Sequence, residues 1–317
     1  MAVHTDFKFH PQVTQIGCYW GAGGHTELYL LEGDQLAIVD TGCNDTPREY
    51  IAPALEGMGR SLKDVAVIIN THGHFDHAGG DAQLVAASGA KVWMPEKDVD
   101  VAESIDRQFD LYFAQNDVLV GRSDRLEASR ANLKKQADPV KVDRALKPGE
   151  VLDLGRGVEL HVVPTPGHTI GSTSFYWPRE GMLFTGDGVP GAGSRPRQLP
   201  LIYYPEAYER TIDYLLTLDI NVLCVGHHYV SLSLTRESAK FGRAGKKFIS
   251  ESGEIGRIIA GAMERAVAER PDAPFLDAAK ASLPRLAERL PLDVNPETGL
   301  PGLASLYANW QRYRKAQ

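Results

Sequence analysis

The chain has 317 residues, 43% of them hydrophobic and 24% charged, which is ordinary for a soluble globular protein with a substantial core. Its formal net charge of −7 at pH 7 excludes a generally basic surface, so nucleic acid is not an expected partner. There is no apolar run long enough to span a bilayer, no signal-peptide-like N-terminus and no CxxC pair, so we expect a cytoplasmic protein without a membrane partner.

Short strands separated by turn residues are predicted for the first third of the chain. Alternating or β-rich segments predict strands at residues 12–19, 27–31, 35–39, 65–69 and 91–94. A helix is predicted over residues 47–58, with Pro47 in its first turn and glycines at its end. The run at 65–69 is continuously apolar, which suits a strand buried on both faces of a sheet.

The character of the sequence changes twice in the rest of the chain. Residues 96–146 are charged and predicted to be helical without a clear strand, so we interpret them as an insertion. Strands are then predicted at residues 151–154, 158–163, 173–177, 182–185 and 222–225, with a helix over 204–218. Beyond residue 231 apolar residues recur at helical spacing, which predicts a C-terminal extension that either caps the site or forms a homodimer interface.

The most informative segment is residues 71–77, Thr-His-Gly-His-Phe-Asp-His. It contains His72, His74, Asp76 and His77, and neutral imidazole and carboxylate are the usual protein ligands of divalent transition metals. The alternative is a solvated histidine-rich loop. Because adjacent side chains diverge, one ion cannot bind all four, so we expect either two metals or further ligands from distant segments.

Candidate distant ligands follow three of the predicted strands. His168, Asp187 and His227 each come just after an apolar strand, and a glycine directly precedes each of the last two. Glycine at such a position permits a sharp turn and close backbone approach. Side chains at strand ends of a rigid sheet are placed where function is usually located in layered α/β folds. We therefore predict that these residues complete the metal site.

The order His-x-His-x-Asp-His, His, Gly-Asp, Gly-His resembles that of the metallo-β-lactamase fold superfamily of metal-dependent hydrolases. Asp40 in Asp40-Thr41-Gly42 matches the early acidic motif of this superfamily, which usually has a supporting role. The resemblance covers residues 12–230. It implies an α/β fold, a four-layer αββα sandwich over residues 1–230 that contains the helical insertion at about 96–146, followed by a helical extension over 231–317.

The same resemblance implies two groups of metal ligands joined by a bridging aspartate. The first group is His72, His74 and His168, the second is Asp76, His77 and His227, and Asp187 bridges them. We expect two divalent ions, zinc with iron or manganese as alternatives. Two such ions lower the pKa of a shared water, which becomes a bridging hydroxide, and polarise a carbonyl group. Asp76 is also a candidate catalytic residue, because it is placed to accept a proton from that nucleophile.

Asp187 distinguishes between branches of the superfamily. A bridging carboxylate at this point resembles the glyoxalase II, lactonase and thioesterase branches, whereas true metallo-β-lactamases lack it. The short separation between Asp187 and His227 leaves no space for the inserted domain of the RNA-processing nucleases, and His rather than Glu at position 74 disfavours the flavodiiron branch. We therefore predict a hydrolase that cleaves an ester, thioester or lactone of a small-molecule substrate.

Residues near the last ligand leave the substrate open. Tyr229 follows His227 by two positions, as does a tyrosine of the thioester site in glyoxalase II, so Tyr229 and His228 are candidate catalytic residues. Arg243 and Lys246 resemble the basic pair that binds glutathione there, although a solvated helix face is the preferred interpretation.

Two other functions and several other residues stay open at this point. One alternative is a mononuclear iron dioxygenase of the persulfide-oxidising type, and the other is a ligand-binding regulatory protein with incidental turnover. Trp20, Tyr112 and Phe113 fit either an apolar substrate wall or the aromatic core. We interpret His25 as an ordinary surface or core histidine.

Overall fold

A computed structural model describes residues 5–21, 23–192, 198–230, 232, 237–290, 292 and 302–315. Within these residues the chain forms two mixed sheets that pack face to face, with helices on the outer face of each. The predicted αββα sandwich with a helical C-terminal extension is therefore confirmed. No helix in this described part combines the length and apolarity needed to cross a membrane.

The first sheet contains seven strands that lie side by side in chain order. They are β1 (Thr5–His10), β2 (Val13–Trp20), β3 (Gly24–Glu32), β4 (Leu36–Val39), β5 (Val65–Ile69), β6 (Lys91–Pro95) and β7 (Arg144–Leu146). Neighbours are antiparallel from β1 to β4 and parallel from β4 to β7.

The second sheet has six strands. In chain order they are β8 (Val151–Asp153), β9 (Glu159–Pro164), β10 (Thr173–Trp177), β11 (Met182–Phe184), β12 (Val222–Cys224) and β13 (Ala239–Phe241), and they also neighbour one another in this order. Only the β11–β12 pair is parallel among these described strands. The parallel pair directs the ends of β11 and β12 to the same edge, the edge at which Asp187 and His227 follow them.

The described helices fall into three groups. The sandwich and its insertion contain α1 (Ala52–Gly57), α2 (Phe75–Ala78), α3 (Asp81–Ser88), α4 (Val99–Glu103), α5 (Ile105–Gln108), α6 (Ala114–Leu119) and α7 (Leu126–Leu133). α8 (Pro205–Thr217) precedes β12, and α9 (Arg243–Glu269), α10 (Phe275–Ala287) and α11 (Leu303–Lys315) form the extension. π-Helical turns at Pro47–Ile51 and Phe109–Phe113 lead into α1 and α6.

The alternation of side chains along the strands explains the layers. In β4, Leu36 and Ile38 pack against the outer helices, whereas Ala37 and Val39 point to the other sheet. In β5, Ile68 packs outward and Ile69 inward, as expected for a strand buried on both faces. The hydrophobic interior between the sheets therefore supports the loops at the strand ends.

The C-terminal extension has its own apolar cluster and is joined to the sandwich. Ile259 of α9, Leu286 of α10 and Leu306 of α11 are all buried in this cluster. Leu199, from the segment before α8, and Leu119 of α6 pack against the same cluster. The insertion and the extension therefore meet over the segment at residues 198–202.

Three strands differ from the sequence-based prediction. β1 was not predicted, β7 lies in the stretch predicted to be helical, and β13 lies beyond residue 230. β1 and β13 are edge strands, and β7 and β13 have three residues each, too few to produce an alternating pattern. Pairing with a neighbouring backbone, rather than side-chain periodicity, defines such strands.

Replacing Ser305 by alanine should destabilise the protein through the 198–202 segment. The Ser305 hydroxyl accepts a hydrogen bond from the buried Ile202 N–H at 2.7 Å and donates one to the Pro200 carbonyl. Losing these partners should lower the free energy of unfolding by about 1–3 kcal/mol, measured by urea titration. The control is Ser123→Ala at an exposed position. Equal unfolding free energies for the two variants would contradict the proposed role of Ser305.

Candidate metal centre

Four loops carry the predicted ligands to one end of the sandwich. One loop follows β5, one joins β9 to β10, and the others follow β11 and β12. Backbone bonds fasten the loops together: Thr173 N–H donates to the Thr71 carbonyl at 3.0 Å, and Gly226 N–H to the Gly186 carbonyl at 2.9 Å. The ligands are therefore held by backbone contacts as well as by their own side chains.

The structure brings all seven predicted metal-ligating side chains together. Two groups have ligand atoms within 4.8 Å of one another: His72, His74 and His168, and Asp76, His77 and His227. A third combination, His72, His77 and Asp187, overlaps both. All seven residues are at most 9% exposed, so each group is a buried cluster of donors suited to a divalent cation.

Asp187 lies between the two groups. Its Oδ1 is 3.3 Å from Nε2 of His77 and 3.1 Å from Nε2 of His227. Its Oδ2 is 3.4 Å from Nε2 of His168, in the other group. One oxygen thus faces each group, which is the arrangement that a bridging carboxylate requires.

Hydrogen bonds select the ring nitrogen that each of four histidines presents. Nδ1 of His72 contacts the Thr71 hydroxyl at 3.1 Å, and Nδ1 of His168 contacts the Leu201 carbonyl at 2.8 Å. The other two Nδ1 contacts are His77 to Asp40 and His227 to the His25 carbonyl. Because the oxygen atoms of these partners accept a hydrogen bond from Nδ1–H, the Nε2 lone pair of each ring is left for a metal.

Glycine is required immediately before Asp187. Gly186 has φ +47°, and a Cβ there would lie 2.2 Å from Oγ1 of Thr71. Before His227, a Cβ on Gly226 would lie 2.9 Å from Oδ1 of Asp187. The close backbone approach predicted from these two glycines is present.

Asp40 supports both ends of the histidine loop. Its carboxylate accepts hydrogen bonds from the N–H and the hydroxyl of Thr71, both at 2.8 Å, and from Nδ1 of His77 at 2.8 Å. Asp40 itself has φ 60°, a strained conformation for a residue other than glycine. Three hydrogen bonds to one buried carboxylate stabilise that conformation and orient His77.

Asp98 supports the first group, and the sequence analysis missed it because it lies in the predicted insertion. Its Oδ2 accepts from the N–H of Gly73 at 3.0 Å and from the hydroxyl of Thr169 at 2.8 Å. Gly171 lies so close that a Cβ there would be 2.2 Å from Oδ1 of Asp98. Burial raises the pKa of Asp98 to about 6. Asp98 therefore joins the loop of His72 and His74 to the loop of His168.

The electrostatics of the first group match its ligand role. Burial lowers the pKa values of His72 and His74 well below their ordinary range, which keeps both rings neutral and able to bind a metal. Burial acts in the same direction on His77, but the carboxylates of Asp187 and Asp40 outweigh it and raise its pKa. Although burial opposes ionisation of Asp187, the imidazoles of the second group and His168 hold its pKa low.

A further cluster behind His227 contains His25, Glu27 and His228. The Glu27 carboxylate is 2.5 Å from Nε2 of His228 and accepts from the Ser238 hydroxyl at 2.8 Å, while the His25 and His228 rings stack at 3.7 Å. Burial lowers the pKa of His25 to about 4. His25 supports His227 through its backbone carbonyl, whereas neither of its ring nitrogens has a hydrogen-bond partner among the described residues.

The two predicted catalytic residues that follow His227, Tyr229 and His228, lie in different surroundings. Tyr229 lines the cleft beside the ligands, and burial, reinforced by Asp187, raises its pKa well above the ordinary value. The side chain of His228 bonds Glu27 instead of lining that cleft in the described part of the chain, so its catalytic role stays a prediction.

The basic pair Arg243 and Lys246 lies far from the ligands. In the antiparallel β12–β13 pair, Cys224 opposes Ala239 and Val222 opposes Phe241. His227 follows one end of this pair, whereas α9 starts from the other end, so the pair is not part of the described site. The preferred interpretation of a helix face thus agrees with its position.

Asp98→Ala should weaken metal binding by the first group. Removing the carboxylate breaks the hydrogen bonds that join the two loops carrying the ligands of the first group. Loss of such supporting partners typically costs about 10–100-fold in metal affinity. The measurement is zinc affinity in competition with a chelator. Asp98→Asn retains one acceptor oxygen and should recover part of the loss. Unchanged affinity in Asp98→Ala, or an equal loss in the exposed control Asp100→Ala, would contradict this role.

Asp81 should make stability depend on pH. It is fully buried and accepts from the Thr41 hydroxyl and the Asn70 amide, both at 2.6 Å, and burial raises its pKa to about 8. In the unfolded chain the pKa of an aspartate is about 3.9. At pH values between this pKa and that of the folded state, the Asp81 carboxyl is therefore protonated mainly in the folded state. This contribution to stability is present below pH ~4 and is lost as the pH rises through 8.

The substitution Asp81→Asn cannot titrate and tests this directly. Between pH 5 and pH 8 the unfolding free energy of the variant minus that of the unsubstituted protein should increase with pH. The increase is at most about 1.4 kcal/mol per pH unit. Urea titrations at several pH values measure the difference. For the exposed control Asp124→Asn, the curve of unfolding free energy against pH should run parallel to that of the unsubstituted protein. A parallel curve for Asp81→Asn would refute the expectation.

Comparisons with known proteins agree with the geometry. A sequence profile of the metallo-beta-lactamase superfamily matches residues 22–227. Hydroxyacylglutathione hydrolase of Hyphomonas neptunium is 29% identical over 151 residues, 47% of this chain and 43% of that protein, so the match spans less than half of the relative. Hydroxyacylglutathione hydrolase GloC of Haemophilus influenzae is 26% identical over 209 residues, 65% of this chain and 86% of that protein.

The fold is also found among solved structures. A metallo-beta-lactamase family protein from Thermus thermophilus superposes with a TM-score of 0.73 at 20% identity, covering 98% of this chain and 95% of that one. At this identity the likeness concerns the fold alone. Because the profile spans the sandwich from β3 to the last ligand, His227, the chain belongs to the metallo-beta-lactamase superfamily.

Proposed function

We propose that this protein is a metal-dependent hydrolase that uses two divalent ions to cleave an ester, thioester or lactone of a small molecule. The single observation that carries the proposal is Asp187, whose two oxygens face two separate buried groups of ligands. Two relatives named hydroxyacylglutathione hydrolase favour a thioester among the three bonds.

The donor set fits divalent metal ions. Nε2 of His72 and Oδ1 of Asp187 are buried and have no hydrogen-bond partner among the described residues, which is costly unless a cation fills the space. Nδ1 of His74 lies 2.8 Å from Nε2 of His168, so His74 faces the first group through Nδ1. His72, His74 and His168 would hold one ion and Asp76, His77 and His227 the other, with Asp187 shared. Imidazole with carboxylate suits zinc, and iron and manganese fit the same donors. Bound there, the ions would lower the pKa of water and polarise a carbonyl.

Two side chains that line the cleft have chemical roles in this proposal. Asp76 borders the cleft and its Oδ2 lies 3.6 Å from Nε2 of His227, so its carboxylate is placed to accept a proton from the attacking water. Tyr229 stays protonated because burial raises its pKa, so its hydroxyl acts as a donor that orients Asp187 or the substrate. In thioester hydrolysis the oxygen of water forms a bond to the acyl carbon and the carbon–sulfur bond breaks. The products are a carboxylate, a thiol and one proton.

The complete second group favours this function over a single-iron dioxygenase. One ion needs only one set of ligands, whereas Asp76, His77 and His227 form a second set, each at most 9% exposed. A purely ligand-binding function would need neither set. Metal content and a substrate panel therefore separate the three hypotheses.

Asp187→Asn should abolish most of the activity. Substitution of residues that only support metal ligands costs about 10–100-fold, so loss of a shared ligand should lower kcat/KM by at least about 100-fold. The measurement is hydrolysis of a panel of esters, thioesters, lactones and β-lactams by protein purified without added metal. The matched control is Asp219→Asn, at an exposed position on the loop before β12.

The same experiment has outcomes that would overturn the proposal. Less than one metal equivalent per chain with trace rates on every substrate would favour the ligand-binding hypothesis. About one iron per chain together with oxygen consumption would favour the dioxygenase. Unaltered kcat/KM in Asp187→Asn would exclude a bridging role for this residue.

A further inference from the structure

A cleft of about 170 Å³ opens beside the candidate metal ligands. Five of the ligands border it: His74, Asp76, His168, Asp187 and His227. A cavity of about 150 Å³ is large enough to bind benzene, so this cleft has space for a group about the size of one ring next to a scissile carbonyl.

One wall of the cleft consists of aromatic rings from three separate parts of the chain. Trp20 comes from the end of β2, Phe75 from the histidine loop and Phe113 from the insertion. Phe75 lies 5.2 Å from Trp20 and 5.9 Å from Phe113, centroid to centroid, in edge-on contacts. Phe113 in turn lies 5.4 Å from the ring of His74, so the aromatic wall begins at a ligand.

The indole nitrogen of Trp20, the polar atom of this wall, already has a hydrogen-bond partner. The indole N–H of Trp20 donates to the hydroxyl of Thr26 at 2.9 Å, which leaves the ring itself to face the cleft. Trp20 and Phe113 thus line the cleft, and their role as a substrate wall stays a prediction. Tyr112, by contrast, is buried against His74 and the ring of Tyr203.

A second wall of the cleft is aliphatic and packs against the C-terminal extension. Leu199, Pro200 and Leu201 line it, and the Leu201 carbonyl accepts from Nδ1 of His168 at 2.8 Å. Leu199 packs into the apolar cluster of the C-terminal extension. Because this wall is bonded to a ligand and packed against α9–α11, it is preorganised for an apolar group.

Charge agrees with the shape of the cleft. Among the described residues that line it, none is a lysine or arginine, and Gln198 and Tyr229 supply the polar atoms apart from the candidate ligands. A carboxylate placed against these described aromatic and aliphatic side chains would lose its hydration without gaining a charged partner from them. An uncharged aromatic or short branched aliphatic group would gain apolar contact with both walls.

We infer that the acyl group of the substrate is uncharged and apolar, a single aromatic ring or a branched alkyl chain of similar size, seated against the two walls. This inference rests on the proposed hydrolase function and names the substrate class of the same site. The binding surface that selects the acyl group is Trp20, Phe75 and Phe113 in the first wall and residues 199–201 in the second.

The test compares N-acetylcysteamine thioesters of phenylacetic, succinic and acetic acid, which share one leaving group. The phenylacetyl thioester should have a kcat/KM at least about 30-fold above that of the succinyl thioester, since the described lining residues include no cationic partner for the second carboxylate. Phe113→Ala should lower kcat/KM for the phenylacetyl thioester about tenfold more than it lowers kcat/KM for the acetyl thioester. The control Tyr214→Ala removes an exposed aromatic ring from α8 and should change neither.

Binding of the two acids to zinc-loaded protein, measured by calorimetry, provides a readout without turnover. Phenylacetate should bind more tightly than succinate, and Phe113→Ala should remove the difference. Equal or better turnover and binding of the succinyl group, or equal losses for all acyl groups in Phe113→Ala, would overturn the inference. Absence of turnover with every thioester would instead count against the proposed function, while the calorimetry still decides the preference for an apolar group.

Discussion

The metal centre depends on the buried carboxylate of Asp40. It accepts two hydrogen bonds from Thr71 and one from His77, and so fixes the start and the end of the loop that supplies four of the seven candidate ligands. The remaining contacts extend from this loop. Thr71 bonds the backbone of Thr173 in the second sheet, and its side chain leaves room only for a glycine at position 186. The two sheets are thereby aligned at the end where the ligands meet.

A cluster of this kind needs support because it concentrates buried nitrogen and oxygen atoms without water. Each group has its own supporting carboxylate: Asp98 joins the loops of the first group, and Glu27 stands behind His227 through His25 and His228. Donor and acceptor roles then follow from the hydrogen bonds, which leave Nε2 of four histidines directed to the centre. Preorganisation of this type keeps ligands in place before an ion arrives.

Substrate selection comes from elements outside the sandwich. Phe113 belongs to the insertion, and the segment 199–201 is held by Ser305 and by the apolar cluster of α9–α11. Both elements contact the apolar cluster of the extension, the insertion through Leu119 and the segment through Leu199. The sandwich thus supplies the chemistry, and the added helices shape the space in which an acyl group is seated.

The sequence by itself determined where along the chain the strands that carry the site lie, and which residues are its candidate ligands. The continuous apolar run defines β5 to the residue, and the candidate ligands follow β5, β9, β11 and β12, so they lie at strand ends. Only the tertiary structure decided the supporting residues Asp98 and Glu27, the position of His228 and the lining of the cleft. Asp98 meets Thr169 across 71 positions and Ser238 meets Glu27 across 211, and no local pattern encodes which distant side chains share a buried hydrogen bond.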